Sequence, residues 1–516
     1  MTRASVAVLA GIALAGSTLM APGVVASPVP GHAAAWGSNF DGELGDSGLT
    51  WPGDAIPGIS RVPVAVDTSG VLAGRTVTGV SGGFRFSCAV ADGRAYCWGT
   101  NYAGQLGNDS TTNSGVPVAV DTSGVLAGRT VSAIAAGGNH TCAVADGRAY
   151  CWGDNREGQL GNNGTTHPSL PVTVDTSGVL AGKTVTAIAA GAVHTCLLAV
   201  GQVYCWGSNH YGQLGNNSTT DSGVPVAVDS SGVLAGKAVT AIAAGDHHTC
   251  AVADGQGYCW GYNHAGQLGN RSSTNSTVPV AVDTSGVLTG KTVTAIAAGF
   301  LHTCGVVDGR AYCWGSNDYG QLGNNSPTGS IGSPVVSRMP VVVGSGVLAR
   351  KTVTEITAGG RYSCAVADGQ AYCWGRNARG QLGNSSTKKS TVPVAVNTAG
   401  ALHHTSVVAI AAGQHAHTLA IAVPMTSVPS PPPATTGIKV ALRKRKVKIT
   451  LKPLIAATSY RVRISKPGGN KFKKWQTTST RVFKAKVRKG EKYRFQVAAV
   501  GVGGRGPVST KRFKAK

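Results

Sequence analysis

A chain of 516 residues, 42% hydrophobic and carrying 73 glycines, is long and apolar enough to bury a large core spread over more than one domain. Its formal net charge of +24 is uneven: from Gly437 onward 25 lysines and arginines stand against one acid, Glu491, and the rest of the chain is neutral. Only four glutamates (Glu43, Glu157, Glu355, Glu491) occur, most aspartates sit in repeated turns, and no phosphate loop is present. Paired-carboxylate catalysis and nucleotide chemistry therefore have little material to work with.

The first residues, "MTRASVAVLAGIALAGSTLMAPGVVAS", join one early Arg3 to an apolar run and then small residues, the pattern of a secretory signal peptide over 1–26. Gly11, Gly16 and Pro22 interrupt that run and argue against a membrane anchor, and no later segment is apolar long enough to span a bilayer. A secreted or cell-surface protein is expected.

From residue 27 to 423 the chain is a tandem array. Trp-Gly recurs at Trp36, Trp98, Trp152, Trp206, Trp260, Trp314 and Trp374, at intervals of 54 residues stretched to 62 and 60 at the two ends. One unit reads "PVAVDTSGVLAGRTVSAIAAGGNHTCAVADGRAYCWGDNREGQLGN", four short β-rich runs split by Asp, Ser and Gly turns with no helical period. The expected fold class is all-β: a seven-bladed β-propeller, one unit per blade, followed by a small β-sandwich.

All twelve cysteines fall into one motif, "CAVADGRAYC" and its relatives. The pairs are Cys88 with Cys97, Cys142 with Cys151, Cys196 with Cys205, Cys250 with Cys259, Cys304 with Cys313 and Cys364 with Cys373. A two-residue Asp-Gly turn sets Cys88 opposite Cys97 at a non-hydrogen-bonded position, about 4.5 Å between Cα atoms, within disulfide reach. Zinc is the alternative, but a cross-strand pair without neighbouring ligands suits it poorly. The seventh unit lacks the pair, with Ala35 and Leu419 at the two equivalent positions. Because these lie at opposite ends of the array, the expectation is that both ends share one blade and close the ring. The C-terminal segment then gives the two inner strands and the N-terminal segment the two outer ones.

The run "AIAAG..HTCAV.DG.AYCWG.N..GQLGN" resembles the repeat of the regulator of chromosome condensation family, over Ala33 to Val423. The resemblance implies a seven-bladed propeller. The family's founder is a guanine-nucleotide exchange factor, but the leader and cysteine pairs point to another compartment, and no inserted element matches its nucleotide-displacing wedge. Exchange activity is kept only as a weaker alternative.

A Pro/Ser/Thr linker (424–437) leads to a basic module (438–516) whose "YRFQVAAVGVGGRGPVS" resembles the late strands of a fibronectin type III domain, with Tyr493 as the corner tyrosine. Trp475 comes later than that family's tryptophan. "RKRKVK" makes Arg443, Lys444, Arg445, Lys446 and Lys448 candidates for binding a polyanion: an anionic envelope polymer, a lipid surface or nucleic acid. The competing reading is a solvated strand face.

Within the array, residues repeated around a ring read as structural. These are His140, His194, His248, His302 and His417 (Phe86 and Tyr362 replace them elsewhere) and Asn101, Asn155 and Asn209. Asp121 in "VDTSGVLAG" suits a turn better than a cation, so no metal and no cofactor are expected. The informative positions are those that break the repeat. Loops joining strands one to two and three to four share a face, and the former vary: Phe84-Arg85, Gly138-Asn139, Ala192-Val193, Asp246-His247, Phe300-Leu301, Gly360-Arg361, Gln414-His415. A candidate patch over blades five to seven holds Trp51, Phe300, Leu301, Arg361, Lys388 and Lys389, against the alternative of drift under weak constraint. The function expected is a non-catalytic, monomeric binding scaffold for a protein or glycan ligand. An extracellular polysaccharide-acting enzyme is the alternative, and an unrepeated acid at the channel mouth would favour it.

Overall fold

The computed structural model describes residues 31–48, 58–329, 334–344 and 346–425, together with 439–443, 446–450, 459–465, 476–478, 482–486, 491–501, 504–505 and 509–514. Apart from one short 3-10 turn, Gly400–Leu402, the regular structure of these residues is all strand. The chain divides into two compact units, Met1–Pro424 and Met425–Lys516. The expected leader, 1–26, and most of the expected linker, from 426 on, lie outside the described residues.

The first unit is seven four-stranded antiparallel sheets. The seam between its ends is formed by β1 (His32–Ser38) and β2 (Ile59–Ala65). Blade 1 follows as β3 (Val77–Gly82), β4 (Phe86–Ala91), β5 (Arg94–Gly99) and β6 (Ser114–Ala119). Blades 2 to 6 repeat it. Blade 7 has the order β2, β1, His417–Pro424, Thr405–Ala412, so the chain ends share one sheet and Ala35 pairs with Leu419. Closing the ring in this way leaves no innermost blade edge open to another chain.

Each blade is sandwiched between two others, so β4 is buried along its whole length and alternation sorts its residues between two cores. Cys88, Val90, Ala95 and Cys97 pack with Tyr150 and Trp152 of blade 2. Ala89, Ala91, Tyr96 and Trp98 pack with Ala35, Leu419 and Ile421 of blade 7.

All six expected cysteine pairs are disulfides, one stapling the central hairpin of each of blades 1 to 6. Cys88 is bonded to Cys97, Cys142 to Cys151, Cys196 to Cys205, Cys250 to Cys259, Cys304 to Cys313 and Cys364 to Cys373. Their Cα–Cα distances of 4.0 to 4.1 Å are shorter than the spacing of about 4.5 Å expected for an unbridged non-hydrogen-bonded pair. Cys97, Cys151, Cys205, Cys259, Cys313 and Cys373 each precede the buried Trp of their blade, and no cysteine is free among the described residues. Ala35 and Leu419 occupy the matching place in blade 7.

Hydrogen bonds tie neighbouring blades in the same repeating way. Trp98 Nε1 donates to the Glu43 carbonyl (3.0 Å), Trp152 Nε1 to that of Gln105 (3.0 Å), and Trp36 Nε1 closes the circle on Gln381 (2.9 Å). The glycine of "GQLG" is set by this contact. Gly107 has φ +70°, and a Cβ there would lie 2.6 Å from Trp152 Nε1.

Blade 2 departs from the pattern, since its outer strand shrinks to Val172–Thr173. Pro168 stands where blade 1 has Ser114. Its carbonyl still accepts from Gly153 N (2.9 Å), but it has no N–H to return to the ladder.

The second unit contains two antiparallel sheets. One pairs Lys439–Arg443 with Lys446–Thr450 and that strand with Val482–Lys486. The other is built around Lys492–Gly501, with Ser459–Ile464 and Ser509–Lys514 on its two sides. Tyr493 is buried in the latter.

Candidate functional site

Four of the repeated histidines, His140, His194, His248 and His302, are latches to the next blade, whereas neither ring nitrogen of His417 has a partner among the described residues. His140 Nε2 lies 2.9 Å from Thr195 Oγ1 of the next blade, and Thr195 donates its own proton to the Gln159 carbonyl (2.8 Å). The threonine oxygen must therefore accept, which fixes the Nε2–H tautomer and leaves Nδ1 without a partner. Protonation would bury an unpartnered N–H, and burial holds His140 and His302 down to about 4 and His194, His248 and His417 to about 3. Asn101 is equally committed: its Oδ1 accepts from Leu106 N (2.9 Å) and its Nδ2 donates to Ser110 O (2.9 Å), shaping the loop after Trp-Gly. Asp121 accepts from Ser123 N and Oγ, both at 2.9 Å, so its carboxylate is used in the turn.

Variation is concentrated on the face carrying the one-to-two and three-to-four loops. There the structure assembles part of the predicted patch. Arg361 Cζ stands 5.6 Å from the Phe300 ring centroid and 5.1 Å from that of Tyr319, and its Nη1 donates to Tyr319 Oη (2.9 Å). Leu301 is half-buried beside Phe300. Lys388 is exposed, and Lys389 Nζ donates to Thr328 Oγ1 of the long blade-5 loop (2.8 Å) rather than joining the Arg361 group. Trp51 lies outside the described residues.

Several neighbours lie outside the predicted patch. Arg376 Cζ also lies over Tyr319 (5.3 Å to the centroid), and Arg379 Cζ lies 4.4 Å from the Phe40 ring centroid. Arg85 covers Phe84 (5.6 Å) and pairs with Asp41 (3.4 Å), while Phe84 meets His415 edge-on (5.2 Å). His415 is pushed down to about 4, first by burial, then by Arg85, Arg379 and Arg376. The signal was available: Phe40, Asp41, Tyr319, Arg376 and Arg379 fill the variable positions of "WG.N..GQLGN", and Phe84, Arg85 and His415 stand in the variable one-to-two loops.

The opposite sector of the same face has different chemistry. Tyr211, His247, Tyr262 and His264 form an edge-on aromatic cluster on blades 3 and 4, with Tyr211 and Tyr262 centroids 4.7 Å apart. Beside it, Asp246 is an unrepeated acid raised to about 7 by burial. On the inner strand of blade 6, burial raises Glu355 to about 8 although its carboxylate accepts from Ile410 N (3.1 Å). On the rim, Glu157, His210 and Asp221 place ligand atoms within 4.8 Å of one another, a trio that sequence reading did not pick out.

In the second unit Lys444 and Arg445 lie outside the described residues. Strand register aligns Arg443 with Lys446, Lys446 with Lys486, and Lys448 with Lys484.

Comparison with known proteins agrees with this architecture. The model of the RCC1-like domain matches residues 24–338, and that of the regulator of chromosome condensation (RCC1) repeat matches 368–421 and 353–381. The chain is 31% identical over 392 residues to the human E3 ubiquitin-protein ligase HERC2, covering 75% of this chain but 7% of that protein. It is 30% identical over 355 residues to the ultraviolet-B receptor UVR8 of Arabidopsis thaliana, covering 67% of this chain and 73% of the receptor. Among solved structures, Prp20p of Saccharomyces cerevisiae superposes with a TM-score of 0.64 at 22% identity, covering 78% of this chain and 93% of that one. With the repeat, the closed ring and the family match in agreement, this chain belongs to the RCC1-like domain family.

Proposed function

We propose that this protein is a non-catalytic binding scaffold of an oxidising, extracellular compartment, whose propeller presents the one-to-two and three-to-four loop face to a protein partner. The observation carrying this reading is the division of labour in the repeat. Trp, His, Thr, Asn and Gly lock the blades together, and chemically diverse side chains are gathered on one face. Loops on a rigid scaffold are where recognition residues concentrate. Six disulfides support the oxidising compartment. A protein ligand is supported by relatives: yeast RCC1 (Prp20) was crystallised bound to Kap60, and Prp20p is described as binding Gsp1p and histones.

The second unit, read as a fibronectin type III-like sandwich, serves as a polyanion tether. Its 25 lysines and arginines against one acid from Gly437 onward would draw it to an anionic polymer. Capture from culture medium and from isolated envelope tests both parts. Phe300→Ala with Arg361→Ala should abolish partner capture, and Lys446, Lys448, Lys484 and Lys486→Gln should abolish salt-sensitive envelope retention. Unchanged capture in the first variant, or retention surviving high salt, overturns the respective part.

The second reading, an enzyme acting on polysaccharide, draws on Asp246, an unrepeated acid of a one-to-two loop raised to about 7 by burial. Glycan hydrolysis by the wild-type chain that disappears in Asp246→Asn would establish it.

A further inference from the structure

We propose that the arginine sector of the loop face, formed by Arg361, Arg376 and Arg379 of blade 6 with Arg85 of blade 1, is the subsite for an acidic peptide segment and takes its aspartate or glutamate carboxylates. This rests on the loop face being the partner face, and it adds the partner's chemistry and the blade that anchors it.

Blade 6 alone puts cations at both variable positions flanking its loop asparagine, Arg376 and Arg379. The equivalent pairs are Ser38 and Asp41, Thr100 and Ala103, Asp154 and Glu157, Ser208 and Tyr211, Tyr262 and Ala265, and Ser316 and Tyr319. Among the described residues Arg85 has a carboxylate partner, Asp41, whereas no ion pair reaches Arg361, Arg376 or Arg379. The guanidinium groups of Arg376 and Arg379 rest on aromatic rings, at 5.3 and 4.4 Å from the centroids, and make no side-chain hydrogen bond to the described residues. A stacked guanidinium keeps its donor edge free and pre-aimed, which suits bidentate capture of a carboxylate. That Arg85, Arg376 and Arg379 all act on the His415 imidazole places them around one point.

The same features favour a peptide over nucleic acid. A single strand needs a basic track and open aromatic faces for its bases. Here the arginines occupy one sector, they already cover the Phe40, Phe84 and Tyr319 rings, and the opposite sector holds Asp246. The chain's own second unit is excluded by charge, having 25 cations and one acid from Gly437 onward.

The test uses the full chain at physiological salt, so that attraction to the basic unit is common to all variants. The probe is a dye-labelled octapeptide of alternating Asp and Glu carrying a photocrosslinker. Arg376→Gln/Arg379→Gln should raise Kd about tenfold or more per guanidinium, with an unchanged melting curve. Arg376→Lys/Arg379→Lys, which keeps the charge and loses the fork, should fall between. Crosslinks should map to the loops around Arg361, Arg376 and His415. Crosslinks confined to 439–514, equal Kd in the Gln variant, or an eight-nucleotide single strand binding this sector more tightly than the peptide would each overturn the proposal. If partner capture depends on Phe300 and Arg361 while peptide binding ignores Arg376 and Arg379, the face stands and this subsite falls. If capture ignores every substitution on the face, the underlying reading falls instead.

Discussion

Substituting both Ala35 and Leu419 by cysteine should give the seventh blade the staple that the other six have. The two residues are direct cross-strand partners, in the register that Cys88 and Cys97 hold in blade 1. A native bridge spans a sequence separation of 9, for which loop entropy gives about 2.7 kcal/mol. The new bridge would tie positions roughly 380 residues apart, worth about 6 kcal/mol by the same relation. Leu419 is fully buried, and shrinking it to cysteine costs about 2 kcal/mol, leaving about 4 kcal/mol of net gain. Spread over an array of this size, that is a rise in Tm of about 5 °C. Thiol titration of the oxidised double variant should find no free sulfhydryl, and its melting point should exceed those of wild type and of A35C alone. Two free thiols in folded protein, or a bridge that forms only between molecules, would refute the closed seam.

Other outcomes follow from the buried titratable groups. The five repeated histidines, all fully buried, have folded pKa values of about 3 to 4, below the unfolded value, so their contribution is complete above pH 6.5 and is lost as pH falls. Asp246 and Glu355 are raised to about 7 and 8, so the folded state holds their protons longer than the unfolded chain and stability declines as pH climbs from 4 to 8. The depressed imidazoles, His415 and His247 among them, outnumber the raised carboxyls and dominate below pH 6.5, and only the acids act above it. Thermal unfolding across pH 4.5–8.5 should therefore peak near pH 6.5, and a flat profile would contradict the assignment. Glu355→Gln should flatten the alkaline limb and steepen the acid one, because this carboxyl opposes the histidines from about pH 4.5 upward. Thr195→Val leaves His140 Nε2 unpaired between blades 2 and 3, while the Gln159 carbonyl keeps its bond from Trp206 Nε1 (2.8 Å), and chemical denaturation should register a loss of about 1–3 kcal/mol; a loss below about 0.5 kcal/mol would show that the latch does not hold the blades.

Much of this molecule is readable from the chain because the repeat samples its own structure seven times. Positions that recur, such as Trp98, His140, Asn101 and Gly107, are bound to the neighbouring blade or to their own loop, and their recurrence announces a shared geometric duty. The cysteine arithmetic went further: one missing pair, split between Ala35 and Leu419, located the seam, because a two-residue turn and a period of two leave the register no freedom. Local rules also let Pro168 shorten an outer strand, which the repeat alone does not reveal. The ring, by contrast, decides what meets across blades. Phe300, Tyr319, Arg361 and Arg376 come from separate loops on blades 5 and 6, and no sequence spacing says that they stack. Whether Lys389 joins them or turns to Thr328, and whether Asp246 and Glu355 are buried deeply enough to keep their protons near neutrality, depends on solvent exclusion at the channel. That is a property of seven blades packed in a circle, set by distances between residues far apart in the chain, and only the closed tertiary structure fixes it.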